Sequence, residues 1–263
     1  MEDEIKLVGK VAIVTGGGKG IGRAISLTFA REGADVSLAA RSTDLMEEVA
    51  REIRAMGRRA LVNTTDITKI DQVDKMAKRT HEEFGRIDIL VNNSGIAGPT
   101  AYVHEITPEE WDETFNVNLR GAFLCCRAVV PIMIKQGGGR IINIASMTGK
   151  RPLPMRTPYC ATKLGLIGFT RSLASELGKF NINANAICPG AVQGPRIERV
   201  VRNAAEAEGT TEEEIRRRFV SPSPLGRMVS ADDVARLAVF LASDASKNIT
   251  GQDVNVTAGV VMF

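Results

Sequence analysis

The sequence predicts a doubly wound α/β fold, in which a seven-stranded, mostly parallel sheet carries helices on both faces. Short β-branched or apolar runs alternate with longer segments whose apolar residues recur at helical spacing. Runs such as VAIVT at 11–15 and DILVNN at 88–93 are apolar at successive positions, which is typical of strands covered on both sides. Because right-handed crossovers place each helix over the sheet, the alternation indicates helices on both faces.

The elements follow one another along the chain without a linker or a repeat. Strands are predicted at Val11–Thr15, Val36–Ala40, Ala60–Asn63, Ile87–Asn92, Arg140–Ala145, Ile182–Cys188 and Asp253–Val256. Helices are predicted near 21–31, 43–56, 69–84, 108–136, 158–179 and 231–243. We therefore expect one domain over residues 1–263.

A charge-rich helical insertion at about 194–220 separates the last two predicted strands. It is either a solvated helical pair or a lid over a cleft. Because ligands of such sheets bind beyond the carboxyl ends of the strands, we favour a small helical lid.

Composition argues against several classes of protein. The 34 basic and 31 acidic residues are too nearly balanced to indicate a nucleic-acid or membrane-surface binder. Residues 1–4 have no basic start of a leader, and we find no run of about 18 apolar residues for a bilayer, so a cytoplasmic location is expected. The four cysteines form no metal-binding pattern, so no metal is expected.

A glycine-rich turn follows the first predicted strand, in VAIVTGGGKGIGRAI at 11–25. Gly16, Gly20 and Gly22 can supply the sharp turn, the close approach of a phosphate and the tight packing of helix on strand. The spacing departs from G-x-G-x-x-G. Its place between a strand and a helix nevertheless predicts a dinucleotide-binding (Rossmann) site.

The end of the second predicted strand favours NADP over NAD. In dinucleotide-binding proteins of this layout an acidic residue there holds the ribose 2′-hydroxyl, whereas an arginine accommodates a 2′-phosphate. This strand ends Ala39-Ala40-Arg41-Ser42, with no acidic residue. Arg41 is therefore predicted to bind the phosphate, with Lys19 as a second cation. The alternative is a solvated arginine at the start of a helix.

Tyr159 and Lys163 stand four residues apart at the start of a predicted helix, so they project from the same face. A tyrosine that exchanges a proton near neutral pH needs a pKa below its usual value of about 10, and a nearby ammonium lowers that pKa. Ser146 ends a predicted strand, where its hydroxyl can hold a substrate oxygen. The commoner use of such a serine is to cap a turn.

Five motifs occur in order: TGGGKGIG (15–22), NNSG (92–95), NVNLRG (116–121), Ser146 with YCATK (159–163), and PG (189–190). At these spacings the chain resembles the short-chain dehydrogenase/reductase family in its single-domain form. The resemblance implies hydride transfer with a nicotinamide cofactor. It also implies a homotetramer or homodimer that assembles through the helices at 108–136 and 158–179.

The resemblance assigns a role to each matching position. Tyr159 is the expected general acid/base, Lys163 lowers the pKa of Tyr159 and binds the nicotinamide ribose, Ser146 polarises the substrate oxygen, and Asn118 holds a proton-relay water. Including Tyr159 and Lys163, the residues expected to contact the cofactor are Gly16, Gly18, Lys19, Gly20, Ile21, Gly22, Arg41, Ser42, Asp66, Ile67, Asn93, Ser94, Gly95, Pro189, Gly190 and Val192.

Three arginines lie in the segments expected to flank the substrate: Arg151, Arg156 and Arg196. Arginine is the side chain best suited to a carboxylate, sulfonate or phosphate. With Ser146 they predict a small substrate that carries an anionic group. The alternative is that these arginines are solvated, or paired with an acidic residue such as Glu198.

The sequence therefore predicts an NAD(P)-dependent oxidoreductase, with NADP preferred, that acts on a small secondary alcohol or ketone. The second hypothesis is a 3-oxoacyl-acyl-carrier-protein reductase. It ranks lower because Pro131 and Phe180 occupy helix ends where basic residues would meet an acidic carrier. A third hypothesis, a non-catalytic NADP-sensing protein, is disfavoured by the intact Ser146, Tyr159 and Lys163.

Overall fold

The structure is a computed structural model that describes residues 7–263, so the N-terminal residues 1–4 discussed above lie outside the described part. Seven strands form one sheet in the order β3-β2-β1-β4-β5-β6-β7, and every strand pair is parallel. The strands are β1 (Val11–Thr15), β2 (Asp35–Ala40), β3 (Ala60–Thr64), β4 (Ile89–Asn92), β5 (Gly139–Ile144), β6 (Ile182–Pro189) and β7 (Asp253–Val256). The predicted fold class is confirmed.

Helices cover both faces of the sheet. They are α1 (Gly20–Arg31), α2 (Thr43–Ala55), α3 (Ile70–Phe84), α4 (Pro108–Phe115), α5 (Gly121–Gln136), α6 (Thr157–Leu177), α7 (Pro195–Glu208), α8 (Glu212–Val220) and α9 (Ala231–Ala242). One core cluster joins α1, α2 and α9 to the sheet, and a second joins α3, α5 and α6 to its other face. Alternate side chains of β1, β2, β4, β5 and β6 enter the two clusters, which accounts for the continuous apolar runs.

The predicted helix at 108–136 is interrupted by a wide π-helical turn at Asn116–Arg120. A capping box begins α4: Thr107 accepts a hydrogen bond from the Glu110 backbone, and Glu110 accepts one from the Thr107 backbone. Contrary to our composition-based prediction, Pro108–Gln136 is long and apolar enough to cross a bilayer. Leu124, Val129 and their neighbours pack into the second core cluster, so this is a core helix of the fold.

The parallel arrangement brings the carboxyl ends of all seven strands to one edge. The strand order reverses between β1 and β4, which opens a crevice at that edge. The glycine turn after β1, Ser146 after β5 and Pro189 at the end of β6 all lie there. The insertion forms α7 and α8 between β6 and β7, on the same side.

Candidate active site

Tyr159 lies in the first turn of α6, and Lys163 follows one turn later. The Tyr159 side chain is half-buried and Lys163 is buried. The Lys163 Nζ lies 5.6 Å from the centroid of the Tyr159 ring and donates a hydrogen bond to the Ile144 carbonyl at 2.8 Å. The end of β5 therefore fixes the ammonium beside the phenol.

The surroundings of Tyr159 lower the pKa of its phenol. Burial alone would raise that pKa, but the positive charges of Lys163, Arg196 and Arg156 and a hydrogen bond with Ser146 together outweigh burial. Burial lowers the pKa of Lys163, Arg196 lowers it further, and the Tyr159 phenolate opposes both. The site is therefore electrostatically suited to proton exchange at Tyr159.

Ser146 caps a turn, the commoner of the two uses considered for it. Its hydroxyl caps the 3₁₀ turn at Met147–Gly149 by accepting hydrogen bonds from the Thr148 backbone at 3.2 Å and from the Thr148 hydroxyl at 3.0 Å. It also lies close enough to Tyr159 to lower the pKa of the phenol. The turn thus orients the serine toward the phenol.

Asn118 occupies the π-helical turn and braces the loop after β4. Its Oδ1 accepts from the Ile96 backbone at 2.8 Å, and its Nδ2 donates to the Ile96 carbonyl at 3.0 Å and to the Thr162 hydroxyl at 3.2 Å. Thr162 in turn donates to the Tyr159 carbonyl. Asn118 therefore ties the loop to α6, through a threonine that the sequence analysis did not single out.

The glycine turn has little space beneath it and open space above. A Cβ on Gly22 would lie 2.2 Å from the Gly16 carbonyl oxygen, whereas a Cβ on Gly20 would meet no atom within 4 Å. Asn93 lies beneath the turn, where its Nδ2 donates to the Thr15 carbonyl at 2.8 Å. The Thr15 hydroxyl, also absent from the predicted site, accepts from the backbones of Asn93 and Ser94. Gly16 and Gly20 both have positive φ, which favours glycine.

Arg41 and Ser42 lie exposed where β2 passes into α2. Ser42 occupies the N-cap position of α2 without a capping hydrogen bond from its hydroxyl, and Arg41 has no ion pair with any described residue. Both side chains are available to a ligand.

The pKa of the Asp66 carboxyl is lowered. Burial would raise this pKa, but hydrogen bonds from Thr68 and the positive charges of Arg41 and Lys69 lower it by more.

The remaining residues predicted to contact the cofactor also lie at the carboxyl edge of the sheet. Gly18 lies against α2, Lys19 and Ile21 flank the start of α1, and Gly95 lies against Asn118 and Lys163. Pro189 ends β6, Gly190 packs against Thr257, and Val192 bridges to Val229. Ile67 is buried against Gly121, so its side chain serves the core.

The three predicted substrate arginines have different positions. Arg156 is buried, with its Cζ 5.5 Å from the Tyr159 ring centroid, and the Cζ of the exposed Arg196 is 6.0 Å from that centroid. Arg151 is exposed, and neither Arg151 nor Arg196 lines the cavity that Arg156 lines. Glu198, the alternative partner for these arginines, pairs instead with Arg216.

A cavity of about 360 Å³, a size that suits a small ligand, adjoins the site at Arg156; Tyr159, Ser146 and Lys163 do not line it. Arg156, the loop after β4 and the start of α4 enclose it, and Arg199 and Asn203 of α7 complete the wall. Arg199 was not among the site residues predicted from the sequence. Its position one turn beyond Arg196 in the predicted lid was the available signal.

The carboxyl edge of the sheet fits a dinucleotide. No side chain caps the first turn of α1 in the described structure, and the space above Gly20 is open, so a phosphate can approach the free N–H groups. Beside it, Tyr159 fits proton exchange with an alcohol or ketone. These features define the class of a nicotinamide-dependent oxidoreductase.

Comparison with known proteins gives the family. Residues 10–205 match the short chain dehydrogenase family, and the chain belongs to it. It is 36% identical over 258 residues to 3-oxoacyl-acyl-carrier-protein reductase FabG of Thermotoga maritima, covering 98% of this chain and 100% of the relative. It is 40% identical over 256 residues to galactitol 2-dehydrogenase of Agrobacterium fabrum, covering 97% and 98% of the two chains.

Solved structures agree with this assignment. The crystal structure of an NAD⁺-bound xylitol dehydrogenase superposes with a TM-score of 0.94 at 30% identity, covering 97% of this chain and 100% of that one. The chain is thus an NAD(P)-dependent oxidoreductase that acts on CH–OH groups.

Proposed function

We propose that this protein interconverts a small secondary alcohol and its ketone, with Tyr159 as the general acid/base. The observation that supports this most directly is the position of the Lys163 ammonium, held by the Ile144 carbonyl 5.6 Å from the Tyr159 ring centroid, where its charge lowers the pKa of the phenol. A bound nicotinamide cofactor supplies or accepts the hydride. In the reducing direction Tyr159 donates its proton to the carbonyl oxygen, Ser146 hydrogen-bonds that oxygen, and Lys163 stabilises the resulting phenolate.

We further propose that NADP is the preferred cofactor. Arg41 and the uncapped Ser42 at the end of β2 are the groups that would receive the 2′-phosphate, and Lys19 at the N-cap of α1 adds positive charge nearby. β2 carries its acidic residue, Asp35, at the opposite end, where it pairs with Arg58 and Arg59. That carboxylate is remote from the ribose site.

Replacing Tyr159 by phenylalanine tests the catalytic proposal. The substitution removes the proton donor and keeps the ring, so we expect turnover to fall at least about 100-fold. Affinity for NADPH, measured by fluorescence titration, should change less than about threefold. The matched control is Tyr102→Phe, because Tyr102 is exposed in the loop before α4. Wild-type turnover in the Tyr159 variant would refute the role.

The second candidate function is reduction of 3-oxoacyl thioesters on a carrier protein, which the similarity to FabG of Thermotoga maritima favours. Assays with 3-oxoacyl thioesters and with unattached small ketones distinguish the two candidates. A non-catalytic NADP sensor would bind the cofactor and turn over neither group of substrates.

We also propose that copies of this chain assemble as a homotetramer or homodimer through α5 and α6. Each of these helices carries an exposed large apolar side chain, Phe123 on α5 and Leu164 on α6. Exposed apolar surface on paired helices is typical of a subunit interface.

A further inference from the structure

Arg156 is a charged side chain in an enclosed position, with 5% of its surface exposed. Its hydrogen bonds go to neutral oxygens: Nη2 donates to the Ala97 carbonyl at 2.6 Å, and Nη1 donates to the Thr100 hydroxyl at 2.9 Å. The Nε atom is buried without a partner, and no carboxylate of residues 7–263 pairs with this guanidinium. Burial of a charge is unfavourable unless a counterion accompanies it.

Two more arginines, Arg196 and Arg199, lie close to Arg156. Arg196 approaches the Tyr159 ring, and Arg199 lines the same 360 Å³ cavity as Arg156. Burial lowers the pKa of Arg156; the Tyr159 phenolate opposes this, and the charges of Arg196 and Arg199 lower the pKa further. The protein therefore concentrates positive charge beside Tyr159.

The other arginines of α7 and α8 form ion pairs with glutamates of these helices. Arg202, Arg216, Arg217 and Arg218 each form an ion pair with a glutamate of the same two helices. Within the described chain, neither Arg196 nor Arg199 has such a pair. The arginine of α7 that approaches the Tyr159 ring and the one that lines the cavity with Arg156 are thus the ones without an ion pair.

Glu110 and Glu113 of α4 also line the cavity, and neither forms an ion pair with the cavity arginines in the part of the chain described. Glu110 is engaged in the capping box of α4. These glutamates do not neutralise Arg156, and they would repel an anion placed next to them. An anionic ligand group is therefore directed to the arginine side of the cavity.

We propose, on the basis of the function proposed above, that the substrate is a short ketone or secondary alcohol bearing a carboxylate or sulfonate that Arg156 and Arg199 bind, with Arg196 contributing positive charge. A guanidinium binds either oxyanion through paired N–H groups. Because Arg156 and Arg196 lie within 6.0 Å of the Tyr159 ring, only a few bonds separate the anion from the carbon that is reduced.

The test compares anionic ketones with neutral ketones of the same shape. The probes are acetoacetate against acetoacetamide, and 2-oxopropanesulfonate against methylsulfonylacetone, each with NADPH and the full-length enzyme. For at least one pair we expect the anion to have a kcat/KM at least about tenfold above its neutral counterpart, since charged hydrogen bonds contribute to its binding alone. The pair with the larger ratio identifies the oxyanion as carboxylate or sulfonate.

The decisive variant is Arg199→Gln, because Arg199 is exposed and holds no loop in place. We expect KM for the preferred anion to rise about 10- to 100-fold, with kcat changed less than about twofold and the neutral ketone unaffected. Arg156→Gln should have a larger effect, although it also removes the bonds to Ala97 and Thr100. The matched control, Arg202→Gln, removes an arginine one turn further along α7 that pairs with Glu212, and should leave both substrates unchanged.

Each outcome separates this inference from the proposed function. Equal turnover of the anionic and neutral probes, or an equal loss of both in Arg199→Gln, would overturn the anion site while the oxidoreductase proposal stands. If no probe oxidises NADPH, calorimetric titration of acetoacetate and 2-oxopropanesulfonate into the NADP-bound protein decides the matter. Binding that Arg199→Gln abolishes supports the anion site, and absence of binding at millimolar concentration overturns it.

Discussion

At the scale of single residues, the electrostatic setting of a side chain decides what it can do. Tyr159 and Arg41 illustrate the two extremes. Tyr159 is half-buried among Lys163, Arg196 and Arg156, whose charges outweigh burial and lower the pKa of the phenol. Arg41 is exposed just after β2, where its positive charge can contact a ligand. The sequence predicted both residues because each has a fixed place relative to a strand or helix end.

The sequence could not show which of the candidate side chains are buried. Arg156 belongs to a loop with prolines on both sides, and nothing in that segment indicates that its guanidinium is enclosed. The enclosure results from Ala97 and Thr100, which are distant in sequence. Arg199 was missed for the same reason, because the cavity it lines is formed mainly by the loop after β4 and by α4.

Arg41→Ala tests the cofactor preference at this scale. We expect the Kd for NADP to rise about 10- to 100-fold, because a charged hydrogen bond to the 2′-phosphate is lost, and the Kd for NAD to change less than about threefold. Fluorescence titration with NADPH and NADH measures both. The matched control is Arg51→Ala, an exposed arginine in the middle of α2. Equal losses for the two cofactors would show that Arg41 does not recognise the phosphate.

At the scale of elements, the strands were predicted to within two residues at each end because β-branched runs stop sharply at turns and glycines. The helices were predicted nearly as well, with one exception. The π-helical turn at Asn116–Arg120 keeps the apolar periodicity of the surrounding helix, so the pattern at 108–136 indicates one continuous element. Asn118 lies in this turn, and its hydrogen bonds to Ile96 cannot be inferred from local sequence.

Gly22→Ala tests how closely α1 packs on the turn that precedes it. The added Cβ would lie 2.2 Å from the Gly16 carbonyl oxygen and 2.5 Å from the Asn93 Nδ2, so the helix start must move away from β1. We expect a loss of about 1–3 kcal/mol in the free energy of unfolding, typical of overpacking, together with weaker NADPH binding. Urea titration and fluorescence titration measure these effects.

Gly178→Ala is the control for that substitution. Gly178 is exposed, has helical φ and ψ of −54° and −39°, and has no atom within 4 Å of an added Cβ. Alanine there should be neutral or stabilise the protein by up to about 1 kcal/mol. Similar losses in the two variants would mean that the contact between Gly22 and Gly16 is not what requires glycine.

At the scale of the whole molecule, the last strand is connected to the active-site loop by a charge cluster. Asp253 of β7 accepts from the Lys150 Nζ at 2.7 Å and from the Arg171 Nη2 at 2.7 Å. Lys150 lies four residues after Ser146 and also donates to the Phe263 carbonyl at 2.8 Å. The sequence predicted the strands that meet here but not this cluster, because its members are brought together only by the sheet order.

Asp253 gives the stability of the whole molecule a dependence on acid pH. Burial opposes ionisation of its carboxyl, but hydrogen bonds and charge from Lys150 and Arg171 lower its pKa in the folded state. A carboxyl with a lowered folded pKa stabilises the protein fully above its unfolded value of about 3.9 and loses that stabilisation as pH falls through the folded pKa. Its contribution is therefore complete at neutral pH and disappears in the acid range below about pH 4.

Asp253→Asn should cost about 1–3 kcal/mol at pH 7, because Lys150 stays buried without its carboxylate. The variant should also lose less stability than the wild type between pH 7 and pH 3, because it no longer carries the titrating group. Urea titrations at fixed protein concentration over this range measure both effects. Asp232→Asn, at an exposed position in the first turn of α9, is the control and should follow the wild-type pH profile. If Asp253→Asn follows that profile too, the cluster does not account for the acid sensitivity, and β7 is held to the active-site loop by its backbone pairing alone.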